Sequence, residues 1–126
     1  MNLHSLPADI RAAIAAAQKK LAFAVVVLDL RELSAFTNFF LLCSGASTPQ
    51  VQAIHDEVDH ELQQLGRRPA HREGYDSGQW VLLDYGSFVV HVFSEQGRMY
   101  YDLERLWRSA KRMEIPEPGF AERRAR

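Results

Sequence analysis

Ser44-Gly45-Ala46-Ser47 separates an apolar run from an amphipathic stretch, the strand, turn and helix order in which a helix N-terminus can receive phosphate. The chemistry on offer there is nucleotide binding or nucleotidyl transfer. A Walker loop needs a second glycine and a lysine before Ser or Thr, and a dinucleotide fingerprint needs three glycines at set spacing; neither pattern occurs. Two-metal transfer also requires carboxylates held to one side of a rigid element, with the metals about 3.5 to 4 Å apart. Asp56, Glu57 and Asp59 are the nearest set, and they fall on the polar face of an amphipathic helix.

The metal-ligating and nucleophilic residue types fare no better. His55 and His60 are five positions apart, about 140° around a helix, unlike the four-residue spacing of a zincin pair, and they read as solvated. His71 stands in a basic stretch and His91 in an apolar one, and no spacing links them. Cys43 closes an apolar run, where a lone cysteine acts as a small buried hydrophobe. Pairing it with His91 as nucleophile and base would need an exposed thiol and an orienting Asn or Asp. Asp84 and Asp102 occupy the positions of turn and cap residues. No catalytic residue, metal or cofactor is expected, and binding is the better reading.

The elements that must position these residues centre on Gln79 to Phe93, QWVLLDYGSFVVHVF. Two runs rich in β-branched and aromatic residues flank Asp84-Tyr85-Gly86-Ser87, which predicts a β-hairpin with Tyr85-Gly86 at its turn. That register sets Asp84 against Ser87 and Trp80 against His91. Alternation then puts Val81, Leu83, Phe88 and Val90 on one face, and Trp80, Leu82, Val89, His91 and Phe93 on the other. Both faces are apolar, whereas a hairpin with one solvated face alternates apolar with polar. The second face therefore needs a cover, either the chain's own helices or a partner protein.

Ahead of the hairpin, Leu6, Ile10, Ile14, Ala17 and Leu21 mark the apolar stripe of an alanine-rich helix. Residues 25–30 predict a strand buried on both faces, and 39–43 a second apolar, strand-like run. A long helix starts at Ser47 or Thr48: Thr48 can cap ahead of Pro49, and Ser47 with Gln50 is the competing capping box. Val51, Ile54, Val58, Leu62 and Leu65 form its stripe, and Gly66 ends it. Arg67 to Arg72 suits a short basic edge strand. After the hairpin come a short turn or helix over 95–100 and a final helix through Trp107, capped by Asp102. The order predicts an α/β (α+β) fold, a small mixed β-sheet packed by the two longer helices.

A chain of 126 residues with 47% hydrophobic and 25% charged residues is the size and composition of one globular domain. Its single cysteine excludes an internal disulfide, and the absence of a long apolar run makes the cytoplasm the expected compartment, with no membrane partner. The net charge of -1 conceals an asymmetry. Residues 105–126 carry seven basic and three acidic residues, against eight and thirteen over 1–104. The acidic body suits a basic protein partner. Residues 108–126 are expected to be a basic, flexible tail with contact to phosphate as its functional option.

Several motifs, in order, resemble the ribosomal silencing factor (Iojap-like) family. They are Val27-Leu28-Asp29-Leu30-Arg31-Glu32-Leu33, Ser44-Gly45-Ala46-Ser47 with Gln50-Val51-Gln52-Ala53-Ile54, Glu73-Gly74, Trp80 to Gly86, Val89 to Phe93, and Tyr101-Asp102-Leu103-Glu104-Arg105-Leu106-Trp107. The resemblance covers residues 6–107, which sets the expected domain at 1–107. It implies a nucleotidyltransferase-like fold without catalytic carboxylates. It also implies binding to large-subunit ribosomal protein fourteen, which would block small-subunit joining and repress translation when nutrients are short. Trp80, Leu82, Asp84, His91, Tyr100 and Tyr101 are the expected contact residues, with a minor contact of the basic tail to ribosomal RNA as an option. Thr37-Asn38-Phe39 departs from the family's Thr-Asp before an aromatic, and Pro49 replaces a common Arg. A nucleotide-binding or nucleotidyltransferase-like enzyme and a homodimeric scaffold are the alternative functions.

Overall fold

The structure of the protein, a computed structural model, describes residues 2–118. Helix α1 (Ala8–Lys19) forms from the alanine-rich stretch and buries Ile10, Ala13, Ile14, Ala16 and Ala17. Leu6 packs into the same core from just ahead of the helix, whereas Leu21, counted above with the stripe, is 78% exposed. The helix has already ended there, because the Ala22 N–H turns back to the Ala17 carbonyl and leaves Leu21 left-handed at φ 63°.

Strands β1 (Phe23–Asp29) and β2 (Phe39–Gly45) lie in the middle of a six-stranded sheet, which is why their sequences are apolar almost without interruption. Helix α2 (Thr48–Gln64) follows. Ser47 is its N-cap, its hydroxyl accepting from the Gln50 N–H at 3.2 Å, and Pro49 sits in the first turn, where its missing N–H costs nothing. The Gln50 side chain does not return to the cap residue. It accepts from the Ala46 N–H at 2.6 Å and donates to the Lys20 and Leu21 carbonyls. Leu65 falls just beyond the last turn and is 55% exposed, so the buried stripe ends at Leu62.

The remaining elements are β3 (His71–Glu73), β4 (Trp80–Asp84), β5 (Phe88–Ser94), α3 (Glu95–Tyr101), α4 (Leu103–Leu106) and β6 (Lys111–Glu114). The strand order is β3-β4-β5-β2-β1-β6, with β2 and β5 parallel and every other pair antiparallel. Helices α1 and α2 cover one face of this mixed sheet. Leu103 and Trp107, in and just after α4, pack on the other.

Three further expectations need correction. The hairpin turns at Gly86-Ser87, with Gly86 at φ 85°, and pairs Trp80 with Phe93 and Leu82 with His91. The register is therefore slipped by two residues from the predicted one. A slip of two preserves which face each side chain takes, so the predicted faces stand. The basic edge strand is His71–Glu73, later than Arg67 to Arg72, because the chain first has to leave the end of α2. Finally, residues 111–114 are not tail: β6 pairs with β1 from Val26↔Glu114 to Asp29↔Lys111, and Ile115 joins the core. The body thus extends past residue 107, and the part of the expected tail from 119 to 126 lies outside the described residues.

Candidate functional site

Strand β4 has one buried flank and one half-buried flank. Val81 and Leu83 point into the α1–α2 core, while Trp80, Leu82 and Asp84 line the opposite face. Across the ladder, Phe93, His91 and Val89 of β5 stand beside them, and on the edge side Glu73 pairs with Leu82 and His71 with Asp84. Trp80 stacks on Phe93 with ring centroids 5.3 Å apart and meets Tyr101 of α3 at 4.8 Å. Tyr101 in turn meets Tyr100 edge to face at 5.0 Å. The half-buried row on β4 thus runs without a break into the exposed ridge of α3 and α4. On that ridge Met99 and Tyr100 are 83% exposed and Leu106 76%.

This places the six expected contact residues. Trp80, Leu82, Asp84 and Tyr101 share one surface with Tyr100 at its outer end. Asp84 also holds the hairpin, its Oδ1 accepting from the Gly86 N–H at 2.8 Å. His91 differs from the expectation: at 4% exposure it lies beneath the surface, where Phe40 packs edge to face on it at 4.5 Å. Its Nδ1 accepts from the Trp80 indole at 3.0 Å. Burial pushes the imidazole down to about 3, which keeps it neutral and able to accept. The second face of the hairpin is covered by the chain itself over β5 and β2, and only its β4 margin stays open.

What fixes the ridge is a set of residues to which sequence reasoning gave no role. Ser94 caps α3, its hydroxyl accepting from the Gly97 N–H at 2.9 Å and donating to Gln79 Oε1 at 2.8 Å. Gly97 lies so close to the start of β4 that an added Cβ would sit 2.1 Å from the Gln79 carbonyl oxygen. Arg98 reaches back into the sheet. Its Nη1 donates to the Ala24 carbonyl at 2.6 Å and Ser44 Oγ at 3.0 Å, and its Nε donates to Glu104 at 2.8 Å. The Ala24 carbonyl is available because β1 is irregular between Phe23 and Val26, with Ala24 at φ 50°. Glu104 also accepts from Arg112 of β6. Burial raises its carboxyl, but the hydrogen bonds from Arg98 and Arg112 outweigh that and hold it below the usual carboxylate range. Asp102 was expected to cap a helix; it is left-handed at φ 47°, makes no side-chain cap bond, and forms the corner between α3 and α4. No signal in the sequence marked these residues: Arg98 and Glu104 stand six apart, a spacing that no single helix would pair.

His55, read above as solvated, is 5% exposed. It sits at i+4 from Val51 and i−3 from Val58, on the buried flank of α2. Its Nδ1 lies 3.0 Å from Asp56 Oδ1, and Tyr75 closes the group with its hydroxyl 3.2 Å from Asp56 Oδ2. The cluster fastens the loop between β3 and β4 to α2. Glu57 is within 4.0 Å of Lys19 and Lys20, and Asp59 accepts from Arg72 and Gln63. These carboxylates are therefore occupied in joining elements. Among the described residues no group of three or more His, Cys, Asp or Glu is placed to hold a metal ion.

The phosphate-like loop is likewise filled from within. Ser44 takes Arg98, Ser47 caps α2, and the Ala46 N–H is bound by Gln50. Cys43 is fully buried, and burial pushes its thiol up to about 12, where it stays protonated. Asn38, one of the two departures, contributes main-chain hydrogen bonds to Ser87 and Leu30. No helix among the described residues is long and apolar enough to cross a membrane.

Residues 4–126 match the family model described as ribosomal silencing factor during starvation. The chain is 43% identical over 103 residues to ribosomal silencing factor RsfS of Halalkalibacterium halodurans, covering 82% of this chain and 88% of that relative. It is 41% identical over 110 residues to the RsfS of Bacillus subtilis, covering 87% and 91%. The chloroplastic Iojap protein of Zea mays is 31% identical, over 71% of this chain and 39% of its own length. A crystal structure from Bacillus halodurans superposes with a TM-score of 0.74 at 40% identity, over 84% of this chain and 96% of that one. An X-ray structure of a Chromobacterium violaceum protein gives 0.77 at 30% identity, over 94% and 97%.

Proposed function

The chain belongs to the ribosomal silencing factor family, and from that membership we propose that it represses translation by occupying the large ribosomal subunit where the small subunit joins. The proposed partner is large-subunit ribosomal protein fourteen. Trp80, Leu82, Asp84, Tyr100 and Tyr101 form the contact, and His91 acts from below by holding Trp80. One observation carries this reading: the half-buried row on β4 continues into an exposed ridge rich in Trp, Tyr, Met and Leu. Tyr, Trp and Met are enriched at the cores of protein interfaces, and Trp and Tyr at their hot spots.

The action is steric and regulatory, with no reaction. A folded domain of this length has a radius of gyration of about 14 Å, enough to hold two flat subunit faces apart wherever it sits between them. The acidic balance of residues 1–104 adds attraction and orientation toward a basic ribosomal protein.

Sedimentation with separated subunits tests this. The purified protein should pellet with large subunits and stay in the supernatant with small ones. Pelleting equally with both, or with neither, would remove the reading and return self-association or nucleotide binding to consideration.

A further inference from the structure

A groove runs along α4 from the outer end of the docking row. It has a volume of about 810 Å³ and is walled by Tyr100, Tyr101 and Leu106 and fringed by Arg105 and Arg108. Among the described residues, Asp102 is the one carboxylate that lines it. Most cations of the described residues lie against a carboxylate; Lys111 does so with Glu32 and Arg112 with Glu104 and Glu114. Arg105 and Arg108, both exposed, have no ion pair among the described residues. Between residues 98 and 112 there are five basic and two acidic residues, a local reversal of the acidic body. Tyr100 is 83% exposed beside these two arginines.

We propose that this groove binds a phosphodiester strand, with Arg105 and Arg108 on successive phosphates and Tyr100, which lines the groove as well as ending the docking row, offering a ring face to a base. Cations aligned along a groove with an exposed aromatic are the elements that hold single-stranded nucleic acid. An acidic protein segment would use the two guanidinium groups but not the groove-side ring of Tyr100, whereas a single strand uses both, so the combination favours RNA. The proposal rests on the large-subunit reading above and deepens it: the protein would touch ribosomal RNA next to its protein partner, through α4 and not only through the residues after it.

The test compares the wild type with the double variant Arg105→Gln/Arg108→Gln, whose side chains hold no other element in place. Binding of a short, labelled single-stranded RNA is followed by fluorescence anisotropy across a series of salt concentrations, beside binding to isolated large-subunit ribosomal protein fourteen. Each neutralised phosphate on a single strand contributes about 0.7 to the slope of log affinity against log salt. The slope should therefore be shallower by about 1.4 in the variant, with binding to the isolated ribosomal protein unchanged. An equal slope in the two proteins would overturn the proposal. So would a polyglutamate peptide binding as tightly as the RNA, or loss of ribosomal-protein binding in the variant, since either assigns the arginines to a protein. If the wild type binds RNA through these arginines but does not bind the ribosomal protein at all, the groove stands and the docking reading fails.

Discussion

The indole Nε1 of Trp80 donates a 3.0 Å hydrogen bond to Nδ1 of His91, which is only 4% exposed. A half-buried aromatic on the open margin of the sheet is thereby locked to an imidazole in its interior. The antiparallel register makes the bond possible: Leu82 is the direct partner of His91, so Trp80 reaches it diagonally on the same face.

His91→Phe should keep the volume and lose the acceptor. The unpaired, partly buried indole N–H would then cost about 1–3 kcal/mol of stability. Adding Trp80→Phe removes the orphaned donor, so the double variant should recover part of the loss. Urea denaturation of the four proteins gives the coupling, which should be about 1 kcal/mol; additive losses would mean that the bond contributes nothing.

The same imidazole predicts a pH dependence. In the unfolded chain His91 takes up a proton near its ordinary value of 6.5, whereas in the folded protein it does so only near 3. The unfolded state therefore binds more protons between these values, and stability falls as pH drops through that window. From the ordinary carboxyl value of 3.8, within the lower part of that window, Asp29 contributes in the same direction. Hydrogen bonding from Arg31, at 2.8 and 3.0 Å, holds its carboxyl below the usual range, and that stabilisation is lost as pH falls through the lowered value. Thermal melts of wild type and His91→Phe at pH 7 and pH 4.5 should show a smaller pH effect in the variant. Equal shifts would place the dependence elsewhere.

Arg98→Ala would release the ridge from the sheet. It removes hydrogen bonds to Ala24, Ser44 and Glu104, and with side-chain exposures of 14% and 24% the Arg98–Glu104 pair is poorly hydrated. A loss of about 2–3 kcal/mol is expected from charged hydrogen bonds of this kind. Amide exchange should accelerate in α3 and α4 more than in α1. Uniform acceleration would mean that Arg98 supports the fold as a whole.

Gly97→Ala acts on the same junction from the other side. A Cβ placed 2.1 Å from the Gln79 carbonyl oxygen cannot be accommodated without moving α3. A destabilisation of about 2 kcal/mol or more is expected, with changed near-ultraviolet dichroism from Trp80 and Tyr101. An unchanged spectrum and midpoint would show that α3 shifts without consequence.

Truncation after Trp107 tests where the body ends. It removes β6, the Arg112 contact to Glu104 and the buried Ile115, so the shortened chain should melt at a lower temperature than one truncated after Pro118. Equal melting temperatures would make β6 dispensable.

What the sequence disclosed follows from what periodicity encodes. The faces of β4 and β5, the stripe of α2 from Val51 to Leu62 and the mixed sheet were legible because burial on one side leaves a repeat. The hairpin register was not, since a slip of two leaves the same repeat and only the turn at Gly86-Ser87 distinguishes the alternatives. Strand β6 escaped because an edge strand of Lys, Arg, Met and Glu has little apolar alternation to show. His55 was misjudged for the opposite reason: a polar type on a helix signals exposure, and only the fold shows that Asp56 and Tyr75 surround it. Alternation gave the face of His91 but not its depth, and only the fold shows that it lies beneath Trp80. Among the candidate site residues, Trp80 and Leu82 could be singled out as apolar surplus on the hairpin. Arg98, Ser94 and Gly97, which hold the ridge in place, had no such mark.

The most direct test is subunit joining followed by light scattering. Large subunits are incubated with the wild type or with Tyr101→Ala, a half-exposed position that can be truncated without opening the core, and small subunits are then added. The wild type should suppress the rise in scattering in proportion to its occupancy. Tyr101→Ala should need about tenfold or more protein for the same effect, the loss expected of an interface aromatic. Joining that proceeds normally at saturating wild type, or is blocked equally by the variant, would contradict the account.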